Sequence, residues 1–228
     1  MPEAAAAVFG ERLPLARRYA DALATSALER GLIGPREVPR IWDRHLLNCA
    51  VIHTLIPRQS TVVDVGSGAG LPGLVLAVVR PDLRITLVEP LQRRVTWLSE
   101  IVDELGLGEA VEIHRGRADS VQRSFDVATA RAVAQLVTLS AWCLPLVRPG
   151  GMMIAIKGES AAAELEASQD ELRALGAVDW TISRCGAGVV DPETIVVRIG
   201  VGESDPAVRR RQGKAGRRKR PAGPRRSA

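Results

Sequence analysis

Three cysteines in 228 residues are few, odd in number and far apart, at Cys49, Cys143 and Cys185. That pattern argues against a disulfide framework and against a zinc site, so no metal is expected, and it suits the reducing cytoplasm. Long hydrophobic runs are missing as well. No stretch approaches the roughly 20 apolar residues that span a bilayer, and no early segment joins a basic start, an apolar run and a small-residue cleavage site. Neither export nor a membrane location is expected. Acidic residues vanish near the end: from Ala207 onward there are ten Lys or Arg and no Asp or Glu. Removing those ten from the 31 basic residues leaves 21 against 26 acidic ones, so the formal charge of +5 divides into a body of −5 and a tail of +10. Residues 203–228, rich in Arg, Gly and Pro, have too little apolar surface to offset ordering entropy and are expected to be a disordered basic tail.

The chain is long enough for one well-buried domain with modest extensions. Phe9, Leu13, Ala16, Ala20, Leu23 and Ala27 recur at steps of four and three, predicting a helix over 8–30. A second helical pattern runs from Pro35 to Ile56, with Val38, Ile41, Trp42, Leu46 and Cys49 on one side. Residues 1–57 are therefore expected to be a helical extension packed on a catalytic domain at 58–202. From Thr61 the rhythm changes to short apolar runs separated by helix-length segments, the sequence form of βα units around a mostly parallel sheet. Strands are expected at 61–65, 84–89, 111–115, 125–130, 151–157, 178–184 and 194–199, with helices at 72–80, 91–105, 134–147 and 160–175. The last two strands lack an intervening helix and should pair as an antiparallel hairpin at the far side. The fold class is α/β, a Rossmann-like sheet of seven strands.

The first strand runs into Gly66-Ser67-Gly68-Ala69-Gly70-Leu71-Pro72-Gly73, a loop through which backbone can approach a ligand closely beyond the carboxyl ends of the strands. Its spacing also fits a dinucleotide fingerprint, Gly68-x-Gly70-x-x-Gly73. Asp64 tips the balance: a negative charge there gains nothing against pyrophosphate, whereas the cationic sulfonium amino acid of S-adenosylmethionine can be accommodated. Glu89, ending the second strand, is placed to accept hydrogen bonds from ribose hydroxyls, a feature that NAD and S-adenosylmethionine share.

The loop after the fourth strand, Ala128-Thr129-Ala130-Arg131-Ala132-Val133, lacks an Asn/Asp-Pro-Pro-aromatic run for gripping an exocyclic amine. Cys143 falls in an apolar helical segment and reads as a small buried hydrophobe, not a nucleophile. An acceptor that needs neither base nor covalent help remains, and guanine N7 is one, because its lone pair can attack without first losing a proton. Catalysis is then alignment, which can contribute on the order of 7–11 kcal/mol. Arg131 and Lys157, following the fourth and fifth strands, are the candidate catalytic positioners, with Arg131 assigned to guanine O6, phosphate or the donor.

These residues resemble the bacterial glucose-inhibited division protein B family of small-subunit ribosomal RNA guanine-N7 methyltransferases, over about residues 36–200. The similarity is densest in Asp64-Val65-Gly66-Ser67-Gly68-Ala69-Gly70-Leu71-Pro72-Gly73. Arg44-His45-Leu46, Arg80-Pro81, Arg93-Arg94-Val95 with Leu98, Arg131-Ala132 and Lys157-Gly158 match further. The resemblance implies methyl transfer from S-adenosylmethionine to N7 of one guanine in the 530 loop of 16S rRNA. It implies donor contacts at Gly66, Leu71, Ala118, Asp119 and Arg131, alongside Asp64, Gly68, Gly70 and Glu89 from the residue reading. The family stretch Arg-His-x-x-Asp-Ser appears here as Arg44-His45-Leu46-Leu47-Asn48-Cys49, and an Asn-Leu-Thr run is replaced by Gly31-Leu32-Ile33. His45 shares the apolar side with Trp42 and Cys49 and is expected to be a satisfied core histidine.

An acidic body must meet RNA through a local patch, the tail or both. Candidates are Arg36, Arg40 and Arg44, at i, i+4 and i+8 on the second helix, and Arg93, Arg94, Arg115 and Arg117 near the cleft. The expected partner is 16S rRNA or the small ribosomal subunit, met by a monomer. A methyltransferase for a small molecule or protein, or an RNA-binding module with a vestigial donor loop, are the alternative readings.

Overall fold

The computed structural model describes residues 1–131 and 134–202; the basic tail lies outside the described residues. The first strand, β1 (Thr61–Val65), is β-branched apart from Asp64 and is buried at every position but Thr61. That burial on both faces marks a central strand of a parallel sheet. Six more strands flank it: β2 (Arg84–Glu89), β3 (Val111–Arg115), β4 (Phe125–Arg131), β5 (Val147–Lys157), β6 (Ala177–Cys185) and β7 (Thr194–Val201). Their order is β3-β2-β1-β4-β5-β7-β6. The chain moves outward from β1 through β2 to β3, then returns to place β4 on the other side of β1. The carboxyl end of β1 is thus the topological switch point, where open α/β sheets bind ligands.

All seven expected strands are present, and β7 pairs antiparallel with both β5 and β6, leaving β6 at the edge. The fifth strand begins four residues earlier than the sequence suggests. Its register shifts between Phe125 and Val127, where Gly150 takes a φ of 75° and a side chain on Gly151 would strike the Asp126 carbonyl. A bulge carries Pro149 and the glycine pair inside the strand.

The expected N-terminal helices are broken into shorter turns. The first segment comprises α1 (Ala4–Phe9), a 3-10 turn (Gly10–Arg12), α2 (Leu13–Ala22) and a π turn (Leu23–Ala27). The second comprises a 3-10 turn (Pro35–Arg40), a π turn (Ile41–Leu47), α3 (Asn48–Ala50) and a 3-10 turn (Val51–Leu55). Pro39 has no N–H to donate, so no regular helix passes through it. The π turn that follows sets His45, Leu46 and Leu47 all inward, which a 3.6-residue period would not do. The later helices are α4 (Gly73–Val79), α5 (Gln92–Glu104), α6 (Leu136–Cys143), α7 (Ala161–Ala167) and α8 (Gln169–Ala174). The predicted helix over 160–175 is divided at Ser168, whose hydroxyl bonds back to the Glu164 carbonyl at 2.5 Å.

Alternate residues of each strand serve two cores. Val62, Leu87, Val127 and Ile154 face the N-terminal segments, α4 and α5. Val63, Ala128, Met153 and Val197 face α6, α7 and α8. Helix α4 is apolar all round because it is covered on all sides, by the sheet beneath and the N-terminal segments above. Among the described residues no helix is long and apolar enough to cross a membrane. Leu76, fully buried in α4, should lose about 2–5 kcal/mol of stability as Leu76→Ala, read by urea unfolding.

Candidate active site

The bend after β1 is fastened to its neighbours by backbone. Gly66 and Ser67 donate to the Val88 carbonyl of β2 at 2.9 and 3.1 Å, and the Ser67 hydroxyl bonds to the Asp64 carbonyl at 2.9 Å. Two of the glycines are sterically required. Gly70 combines a φ of 88° with a Cβ position only 2.9 Å from the Tyr19 hydroxyl. At Gly73 a Cβ would strike Leu87 and come within 2.8 Å of an Asp64 carboxylate oxygen. The glycine of the Leu-Pro-Gly continuation is therefore a packing demand, because the first turn of α4 lies directly on β1 and β2.

Asp64 is wholly buried. Its Oδ2 accepts the Gly73 amide at 3.0 Å, while Oδ1 has no hydrogen-bond partner. Burial pushes its carboxyl up to about 7, against the pull of the Gly73 amide, Ser67 and Arg131. It shapes the loop from beneath, where the sequence suggested only an acid facing a cationic ligand. Glu89, 1% exposed, is the second fastener: Oε2 accepts the Gly68 amide and Oε1 the Leu91 amide, each at 3.0 Å, with Arg94 Nη1 3.4 Å from Oε2. The acid at the end of β2 thus ties the glycine loop to the β2–α5 loop.

A third fastener was missed by sequence reasoning. Tyr19, the chain's single tyrosine, is fully buried in α2 and donates to the Ala69 carbonyl at 2.6 Å. The signal was available, since Tyr19 sits beside Ala16 and Ala20 on the predicted stripe and its hydroxyl needs a partner once buried.

Beyond β3, the Gly116 amide donates to the Glu89 carbonyl at 3.2 Å, bringing the Ala118–Ser120 turn alongside the glycine loop's edge of the sheet. Ala118 is buried and Asp119 exposed there. Gly66, Gly68, Gly70, Leu71, Glu89, Ala118 and Asp119 therefore gather at the carboxyl ends of three adjacent strands.

Arg131 ends β4, half-buried, and turns toward the N-terminal segments: Nη1 donates to the Arg44 carbonyl at 2.9 Å and Nη2 to His45 Nδ1 at 2.7 Å. The expected core histidine is buried, and it holds a functional candidate. Lys157 is only 8% exposed in its side chain; Nζ lies 2.8 Å from Glu164 Oε2 and donates to the Ala134 carbonyl at 3.0 Å. Burial would raise the Glu164 carboxyl, but Lys157, Ser160 and the Leu136 amide outweigh it and hold the group below the usual carboxylate range. Lys157 thus braces the chain at the far end of the β4–α6 loop through an ion pair, instead of presenting a free ammonium. Cys143 is buried and burial raises its thiol far above the ordinary range, in keeping with an inert hydrophobe.

The arginine stripe needs correcting. Arg36 and Arg40 lie on a 3-10 turn and Arg44 on a π turn, so steps of four do not align them as on one α-helix. Glu37 lies 3.9 Å from Arg40 and 3.3 Å from Arg44, and Arg94 faces Glu89. Arg93, Arg115 and Arg117 are exposed and make no salt bridge among the described residues.

The architecture is that of the S-adenosylmethionine-dependent methyltransferases. A Methanococcus maripaludis protein described as one of them matches with a TM-score of 0.55 at 14% identity, over 84% of this chain and 94% of that one. Sequence kinship is far closer. Proteins called ribosomal RNA small subunit methyltransferase G from Streptomyces avermitilis and Renibacterium salmoninarum are each 54% identical to this chain. The first match covers 91% of this chain and 88% of the relative, the second 88% and 94%. Residues 12–194 match the GidB family, rRNA small subunit methyltransferase G, and the chain belongs to it. The expected fold class, methyltransferase class and methyl donor stand with that membership.

Two substitutions probe this geometry. Tyr19→Phe leaves a buried carbonyl unpaired and should cost about 1–3 kcal/mol in urea unfolding, with weaker S-adenosylmethionine binding by calorimetry. Asp64→Asn keeps an acceptor for the Gly73 amide but cannot ionise. In the unfolded chain Asp64 loses its proton near the ordinary 3.8, in the folded chain near 7. The wild type therefore loses stability relative to the variant as pH rises across that interval, and the gap levels off above it. A gap constant from pH 4 to pH 7 in paired unfolding curves would contradict the burial argument.

Proposed function

We propose that this chain transfers the methyl group of S-adenosylmethionine to N7 of one guanine in the 530 loop of 16S rRNA. The observation that carries the reading is the joining of the β1 bend, Glu89 and Arg131 at one sheet edge. The residues suit the donor. A carboxylate offers about four acceptor positions, and Glu89 spends three of them at most, on Gly68, Leu91 and the long contact to Arg94. Releasing Arg94 leaves acceptors for ribose hydroxyls.

In this reading Gly66, Gly68, Gly70 and Leu71 line the amino-acid end of the donor, with Asp64 holding their loop. Glu89 takes the ribose, and Ala118 and Asp119 take the adenine edge. Once bound, the donor supplies a methyl group on cationic sulfur. Guanine N7 receives it through a ring lone pair without shedding a proton, so the chain furnishes no general base. Its work is positional: Arg131 aims the guanine or the donor, and Lys157 with Glu164 sets the far end of the loop beside them. Residues 58–202 form the catalytic domain, 1–57 an extension packed on it, and 203–228 a basic arm. A monomer in the cytoplasm meets the small ribosomal subunit through that arm and through Arg36, Arg93, Arg115 and Arg117, while Arg40, Arg44 and Arg94 add contacts where their acidic neighbours permit.

The decisive experiment maps 7-methylguanosine in 16S rRNA from cells with and without the gene. The modification should vanish at one position and return with a plasmid copy; an unchanged map would end the reading. Deleting 207–228 should weaken binding to small subunits and leave donor affinity intact. The salt dependence of binding should flatten at the same time, by about 0.7–0.9 in log–log slope for each phosphate the arm no longer neutralises.

A further inference from the structure

The guanidinium of Arg131 is held along one edge by two successive residues of the N-terminal extension. Nη1 meets the Arg44 carbonyl at 2.9 Å and Nη2 meets His45 Nδ1 at 2.7 Å. A guanidinium has only N–H donors, so the nitrogen facing it must carry a lone pair. The single proton of a neutral imidazole then sits on Nε2, which lies 2.9 Å from Glu37 Oε2, an acceptor. The Arg131 guanidinium thereby fixes the tautomer of His45, and Glu37 lies beside the protonated nitrogen without the alignment of a hydrogen bond. Burial first, and the Arg131 charge second, push the imidazole down to about 4, against the opposing pull of Glu37, so the ring stays neutral around pH 7.

We propose that His45 is a positioning residue for methyl transfer: as a hydrogen-bond acceptor through Nδ1, together with the Arg44 carbonyl, it orients the Arg131 guanidinium at the site. The proposal rests on the role given to Arg131 above. It also explains why the extension reaches the catalytic edge at all. A π turn sets His45 and Arg44 over the end of β4, so a side chain on the sheet is oriented from a separate element. An arginine clamped at one edge gives up less rotamer freedom when it meets a ligand.

The test uses the full-length chain, small subunits from cells lacking the gene, and S-adenosylmethionine. His45→Phe keeps a flat ring and removes the acceptor, whereas His45→Asn places an amide oxygen near the Nδ1 position. Expected for His45→Phe is a fall of roughly 10- to 100-fold in kcat/KM, the scale of a hydrogen bond to a charged group. His45→Asn should recover most of it, and His45→Phe should cost nothing further when combined with Arg131→Ala. If His45→Phe does not fold, as judged by thermal unfolding, His45→Leu against His45→Asn makes the same comparison between side chains of the same branching. Multiplying losses in the double variant, or an Asn variant no better than Phe or Leu, would overturn the clamp. An inactive Arg131→Ala beside a fully active His45→Phe would overturn the clamp alone. A fully active Arg131→Ala would instead overturn the role assigned to Arg131.

Discussion

A buried carboxylate accepting the first amide of a buried helix is the contact on which this molecule is organised. Asp64 Oδ2 holds the Gly73 N–H, and through it β1 fixes where α4 begins and how sharply the glycine loop turns. Any Cβ at Gly73 would enter the space that carboxylate occupies. Burying the acid is unfavourable, as its raised carboxyl shows, and surrounding structure offsets that cost. Leu74, Leu76 and Val78 are packed between sheet and extension, and Tyr19 and Glu89 hold the loop on two further sides.

The N-terminal extension accordingly does more than cover an apolar surface. It supplies Tyr19 beneath the loop and the Arg44–His45 pair at Arg131. Trp97 Nε1 reaches Ser26 at 3.1 Å, and Arg12 reaches the Val78 carbonyl at 3.3 Å, so α5 and α4 are bound to the same layer. The extension is therefore tied to the glycine loop and to Arg131 by hydrogen bonds, that of Tyr19 fully buried. The two clusters that meet at the β4–α6 loop act from opposite ends. His45 grips Arg131 before it, and Lys157 with Glu164 braces Ala134 and Leu136 after it.

Electrostatics follow the same division. The acids inside the protein, Asp64 and Glu89, are spent on backbone amides, and Glu37 is spent on His45 and two arginines. Among the described residues, Arg93, Arg115 and Arg117 stay exposed at the carboxyl edge without a salt bridge. Helical spacing grouped Arg36, Arg40 and Arg44 by periodicity alone, and the pairing of Arg40 and Arg44 with Glu37 is a matter of three-dimensional proximity that spacing does not encode.

Local patterning along the chain was enough to specify the sheet, the bend and the class of chemistry. Strand periodicity is local, and glycine at a tight bend is a steric necessity. The partners of those residues came only with folding. Asp64 reads in the sequence as an acid awaiting a cation, and Lys157 as a free positioner; the folded chain gives the one a backbone amide and the other Glu164. The break at Pro39 is local, the effect of its missing N–H, whereas the two π turns and the meeting of His45 with Arg131 across 86 residues arise because burial of whole faces outweighs local helical preference. Contacts between distant segments leave no periodic trace along the chain.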